Sequence, residues 1–136
     1  MSSSFRIFDI AGSAMSAQSV RLSTVASNLA NADAVGSDPD SVFKAHLPMF
    51  KTAPEVAGAQ TPGVRVTGVV ESQTPAEKRY EPGNPLADGE GFVYAPNVNV
   101  VEQMVDMISA SRSYQNNVEV MNTAKELALK TLTLGS

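Results

Sequence analysis

Residues 99–134 read NVVEQMVDMISASRSYQNNVEVMNTAKELALKTLTL, a stretch without proline or glycine. Its apolar positions run Val100, Val101, Met104, Met107 and Ile108, then Tyr114, Val118, Met121, Ala128, Leu129 and Leu132. That spacing predicts one amphipathic helix. Asn99 stands where an N-cap belongs, with Glu102 three residues on in a capping-box arrangement. Glu102 and Asp106 lie near the positive end of the helix dipole, and Lys125 and Lys130 toward the negative end. Gly135 is placed to end the helix. At ~1.5 Å per residue the helix is roughly 50 Å long. A compact chain of this size is only about 28–30 Å across. Ala110, Val120, Ala124, Leu127 and Leu134 also lie off the main stripe, so the helix carries more apolar surface than one partner helix covers.

A second pattern of the same kind occupies 5–33. Phe8, Met15, Leu22 and Leu29 recur every seven residues; Ala11, Gln18, Val25 and Ala32 each follow three residues later. Seven of these eight are apolar, which is a heptad pattern. Ser13, Ser16, Ser19, Ser23 and Ser27 are expected on other faces, and they weaken the helix in isolation. Asn31, Asp33, Gly36 and Pro39 close it. Asn28 and Asn31 read either as polar contacts across a subunit interface or as ordinary helix-end caps. Tyr114 reads either as an interface anchor or as a core aromatic. Met15, Met104, Met107 and Met121 read as adaptable packing.

Between the helices, residues 34–97 hold all eight prolines and most of the glycines. This is loop and strand composition. The clearest strand is 64–71, with Val64, Val66 and Val70 on one face and Gly68 marking a bulge. Weaker strands are 42–51, interrupted by Pro48, and 92–94. Thr74-Pro75, Glu81-Pro82-Gly83-Asn84-Pro85 and Asp88-Gly89-Glu90-Gly91 are turn chemistry. One small antiparallel sheet or hairpin flanked by extended loops is expected. The fold class is therefore mainly α: two long terminal helices packed as an antiparallel coiled coil, with a small β/loop insertion. Residues 1–35 and 99–136 form a discontinuous helical core domain, and 36–98 the insertion.

The composition excludes several functions. With 10 basic and 14 acidic residues the net charge is −4, which is no basic footprint for nucleic acid. Hydrophobic residues make up 43% and charged residues 18%, so the chain can form a core, though a modest one. There is no cysteine and one histidine, His46, so neither a thiolate site nor a multi-histidine zinc site is possible. Asp88-Gly89-Glu90-Gly91 lacks the spacing of a calcium loop. His46 has no partnered nucleophile motif, and no phosphate-binding or nucleophile-elbow motif occurs. No catalytic residue, metal or cofactor is expected. No apolar run is long enough to cross a membrane, and the first six residues do not have the pattern of a secretory signal.

Leu22-Ser23-Thr24-Val25-Ala26-Ser27-Asn28-Leu29-Ala30-Asn31-Ala32-Asp33 resembles the N-terminal signature of the flagellar rod, hook and filament-axis proteins. The run from Pro96 through Gln115, with Asn122-Thr123-Ala124-Lys125 and 130–135, is closer still to the rod members, as are Gly63-Val64-Arg65-Val66 and Tyr80-Glu81-Pro82-Gly83. The resemblance spans nearly the whole chain. It implies a structural subunit of the bacterial flagellar basal body, in the proximal rod, exported by the flagellar type III apparatus without a cleaved signal. It further implies a periplasmic hollow axis that transmits torque and encloses the export channel. Implied partners are the other rod proteins, the rod-to-ring adaptor and further copies of the chain, with no nucleic acid and no membrane insertion. The residues expected to carry assembly are Phe8, Met15, Leu22, Val25, Asn28, Leu29 and Asn31 on the first helix. On the second they are Met104, Ile108, Tyr114, Val118, Met121, Leu129 and Leu132. A helical-hairpin adaptor or secretion chaperone is the competing reading; it predicts a closed dimer and has no use for the Pro/Gly-rich insertion. An enzyme would need a convergent polar site.

Overall fold

A computed structural model describes residues 2–53 and 63–135, with side chains described from 6 to 52 and from 63 to 135. Part of the expected insertion, 54–62, lies outside them. The order is α1 (Ser2–Ala30), β1 (His46–Ala53), β2 (Gly63–Glu71), β3 (Glu77–Tyr80), β4 (Phe92–Ala95) and α2 (Val100–Leu134). About half the chain is helical, and α1 packs on α2.

The ends of α2 follow the sequence. Asn99 Oδ1 accepts the Glu102 backbone N–H at 3.1 Å, and the Gly135 N–H donates to the Thr131 carbonyl at 3.0 Å. The helix is ~52 Å long at 1.5 Å per residue.

Two two-stranded antiparallel sheets replace the single one expected. In the first, β1 runs against β2 from His46 opposite Glu71 to Ala53 opposite Gly63. Met49 faces Gly68 but Phe50 faces Val66, so Thr67 is the extra, bulged residue beside Gly68. Its hydroxyl donates to the Met49 carbonyl at 3.2 Å. A bulge changes the phase of alternation. Val64, Val66 and Val70 therefore do not form one face; Val69 lines the cavity against α1, with Val20, Thr24 and Ser27.

The second sheet pairs Glu77 with Ala95 through Tyr80 with Phe92. Gly36 joins the free side of β4, exchanging two 2.9 Å hydrogen bonds with Tyr94. Glu77–Tyr80 has no apolar alternation to announce a strand. It forms through its pairing with β4, whose Val93 and Ala95 are wholly buried. At the turn before β4, Gly91 has φ +87°, and a Cβ there would sit 3.0 Å from the Tyr80 ring and 3.2 Å from Pro82. Only glycine meets both demands. The Asp88 carboxylate accepts the N–H groups of Glu90 and Phe92 at 2.9 Å each, so this segment is a tight turn.

Seven of the ten buried apolar residues among those described are alanines, and the other three are valines. The helix seam uses this small size. On α2, Gln103, Ala110 and Ala124 are buried, and half-buried Asn117 completes their seven-residue line. Met107, Tyr114, Met121 and Ala128, all half-buried, form a second line four residues later. On α1, Ala11 and Val25 are buried and Phe8, Met15, Leu22 and Leu29 half-buried, as the heptad reading placed them; Ala32, also buried, lies in the turn beyond the helix. The seam of α2 is therefore rotated from the expected stripe. The buried positions of the α2 seam are thus a glutamine and two alanines, short enough at the alanines for the helices to lie close.

Two asparagines fix the insertion to the helices. Asn28, 1% exposed, donates through Nδ2 to the His46 carbonyl and to Gln103 Oε1, each at 3.0 Å. Its Oδ1 accepts the His46 N–H at 2.9 Å. Asn97 accepts the Ala45 N–H at 2.7 Å and donates to the carbonyls of Ser72 and Thr74 at 3.3 and 2.6 Å. Ser72 in turn donates to Ala45 at 2.8 Å, closing the base of the first hairpin. Arg21 reaches Asp106 at 3.4 Å across the two helices.

Three outcomes are expected. With the chain folded in a stabilising osmolyte, Ala110→Leu overfills the seam and costs about 1–3 kcal/mol in urea unfolding, whereas Ile108→Ser, on the outside, stays within ~0.5 kcal/mol. Asn28→Ala leaves buried backbone groups unpaired and costs about 1–3 kcal/mol; Asn28→Asp is worse, because a carboxylate then faces two acceptor oxygens. The Asp88 carboxyl is held below its ordinary value of 3.8, chiefly by the Phe92 N–H. A depressed carboxylate stabilises the fold above its unfolded value, and that contribution is lost as pH falls through the folded one. An NMR titration should give Asp88 a midpoint below 3.8, and Asp88→Asn should remove its share of acid destabilisation.

Candidate assembly surface

The large apolar side chains that the seam leaves out stand on the outside of α2. Met104 is 52% exposed, Ile108 55%, Leu129 54% and Leu132 58%. Val101, Val105, Val120, Leu127 and Leu134 join them. Each fully buried Val, Leu, Ile or Met side chain is stabilising by ~1.5–3 kcal/mol, so this face holds unspent driving force for association. A shallow groove of about 380 Å³ runs over Val105, Ile108, Ser109, Arg112 and Ser113. A second, of about 470 Å³, opens between the helices at Leu22, Ser111, Tyr114, Gln115, Val118 and Glu119.

Of the fourteen residues expected to carry assembly, all but Asn31 fall into three groups. Met104, Ile108, Leu129 and Leu132 are exposed on one helix. Phe8, Met15, Leu22, Leu29, Tyr114, Val118 and Met121 are half-buried where α1 meets α2, each with part of its surface free. Val25 and Asn28 are buried inside the chain and offer nothing to a neighbour. For Asn28 neither reading anticipated its role, which is to join α1, α2 and β1. Asn31 donates to the Ser27 carbonyl at 2.8 Å, a local helix-end bond.

Sequence reasoning missed the first hairpin as part of this surface. Leu47, Met49, Phe50, Val64, Val69 and Val70 are all between 38% and 49% exposed. The signal was present: both strands carry consecutive apolar residues, more than one buried face uses. The hairpin lies along α1, where the Ser13 hydroxyl accepts the Val64 N–H at 3.1 Å. Ser13 was expected on an idle face; its small side chain lets Gly63 approach, where a Cβ would meet the hydroxyl at 2.8 Å.

Among the described residues the polar groups gather into no reactive constellation. His46 packs edge-on against Phe43 with ring centroids 5.0 Å apart, and its Nε2 lies 3.9 Å from Glu71. Among the described residues no three potential metal ligands come together, and no helix is long and apolar enough to cross a membrane.

Comparison with known proteins matches both ends of the chain to flagellar families. Residues 8–36 match the "Flagella basal body rod protein" model, and 90–134 match "Flagellar basal body rod FlgEFG protein C-terminal". Flagellar basal-body rod protein FlgC of Escherichia coli O157:H7 is 58% identical over 129 residues, covering 95% of this chain and 96% of that protein. FlgC of Salmonella typhimurium (strain LT2) is 56% identical over the same shares. FlgC of Buchnera aphidicola subsp. Acyrthosiphon pisum is 41% identical over 94% of this chain and 95% of its own. With the alanine seam, the outward leucines and near-complete coverage at this identity, the chain belongs to the FlgC family of flagellar basal-body rod proteins.

Proposed function

We propose that this structural rod subunit works by leaving its own fold incomplete. Its terminal helices pair as an antiparallel coiled coil, and the outer apolar face of α2 is covered by neighbouring subunits in the proximal rod. Those neighbours are other rod proteins, the rod-to-ring adaptor and further copies. The stacked subunits form a hollow shaft that carries torque and encloses the export channel. The observation that carries this reading is the inversion of side-chain size: alanines inside, and leucine, isoleucine and methionine outside. A chain that packed for itself alone would place them the other way.

The same inversion suits passage through a narrow conduit of the type III export apparatus. A core of alanines and valines holds the free monomer weakly, so the terminal helices gain order on assembly. Circular dichroism of the purified monomer at micromolar concentration is expected to show well below the helix content of the folded chain; full helicity contradicts this.

Ile108→Asp and Leu132→Asp place carboxylates on the outer face, where assembly would bury them unpaired at a cost on the order of 3–5 kcal/mol each. Both variants are expected to be exported, yet to build no rod and give no spreading on soft agar. Ser19→Asp, at an exposed serine of α1, is expected to remain motile. A motile Ile108→Asp, Leu132→Asp strain overturns the reading.

A further inference from the structure

In the first hairpin Lys51 stands directly opposite Arg65 in the strand register. Like charges in opposed positions destabilise a sheet. Both are exposed, and among the described residues neither has an ion-pair partner. Exposed Leu47, Met49 and Val70 share the face of Lys51 and Arg65, so the hairpin presents two cations beside apolar side chains on one surface.

The opposite charge gathers elsewhere. Asp33, Asp38 and Asp40 lie in the loop that Gly36 ties to β4; Glu77, Glu81 and Glu90 lie on β3 and the turns beside it. Of these, Glu77, Glu81 and Asp33 are near enough to raise the Arg79 pKa. The cations of this region are already engaged. Arg79 bonds Glu77 at 3.1 Å, Lys78 sits 4.1 Å from the Phe92 ring, and Lys44 donates to the Pro39 carbonyl at 2.6 Å.

This hairpin face of one chain does not reach its own acidic lobe. Arg65 follows Val64, which is bonded to Ser13, whereas the lobe begins after α1 ends at Ala30. Those seventeen helical residues put the two patches roughly 25 Å apart at 1.5 Å per residue, beyond a Debye length of about 8 Å.

We infer that the outer face of the first hairpin in one copy, at Lys51 and Arg65, docks on the acidic lobe of a second copy. This rests on the rod-subunit reading and deepens it. The two patches differ and lie apart on the chain, so the contact can repeat head-to-tail along a stack of copies.

The chain has no cysteine, so a Lys51→Cys, Asp40→Cys double variant reports the contact. Basal bodies are isolated from cells carrying it, then oxidised. Covalent dimers and higher multimers of this chain are expected. Adding Arg65→Glu should lower their yield at least tenfold, because it sets like charges against each other, and further adding Glu90→Lys should recover part of it. Incorporation of the variant into basal bodies is scored separately, and its absence counts against the rod reading itself. An incorporated variant that gives only monomer, or crosslinks solely to another protein after a cysteine is placed there, overturns the second-copy assignment. A parallel Lys51→Glu, Arg65→Glu strain without cysteines should spread poorly, with spreading recovered by Asp40→Lys, Glu90→Lys; equal spreading of all three also overturns it.

Discussion

The close approach of α1 and α2 over Ala11, Ala110 and Ala124 governs the rest of the molecule. Two helices can come near only where side chains are short. Putting the short ones in the seam turns Met104, Ile108, Leu129 and Leu132 outward, because they share a helix with the alanines but not a face. The surface chemistry of α2 is thus a geometric result of how its inner face packs. It also explains why a chain with 43% hydrophobic residues has such a small interior.

Apolar packing so slight does not by itself set the position of a two-stranded hairpin, which is at best marginal alone. Side-chain amides do that work here. Asn28 pairs with both backbone groups of His46 as a neighbouring strand would, and Asn97 does the same for the residues just outside the hairpin. Each bond is modest in net terms, but each satisfies a group whose isolation would be costly. The insertion is therefore aimed by hydrogen bonds, and its apolar residues stay available.

Much of this was legible in the sequence. Both helices, the caps of α2 and the α1 heptad follow from periodicity and from Asn99 and Gly135. The strand at 64–71 follows from its valines. Other features were hidden because their cause is tertiary. Glu77–Tyr80 is a strand only because β4 lies beside it. The Thr67 bulge depends on the partner strand's register. The rotation of the α2 seam was hidden for a related reason. A stripe of large apolar residues ordinarily marks the inner face, and here part of it, at Met104, Ile108, Leu129 and Leu132, lies on the outer one. Asn28 was legible as a residue of interest, but its three partners come from segments far apart in the chain.

The amide bonds of Asn28 and Asn97 cluster where α1 finishes and α2 begins, and both helices lead away from that point. Beyond the Arg21–Asp106 pair the seam is held mainly by small apolar contacts. Tension applied between the two chain ends therefore parts the helices sequentially, like a zip, against little resistance. It meets firm opposition only on arriving at the stitched end, so the molecule has a built-in mechanical direction.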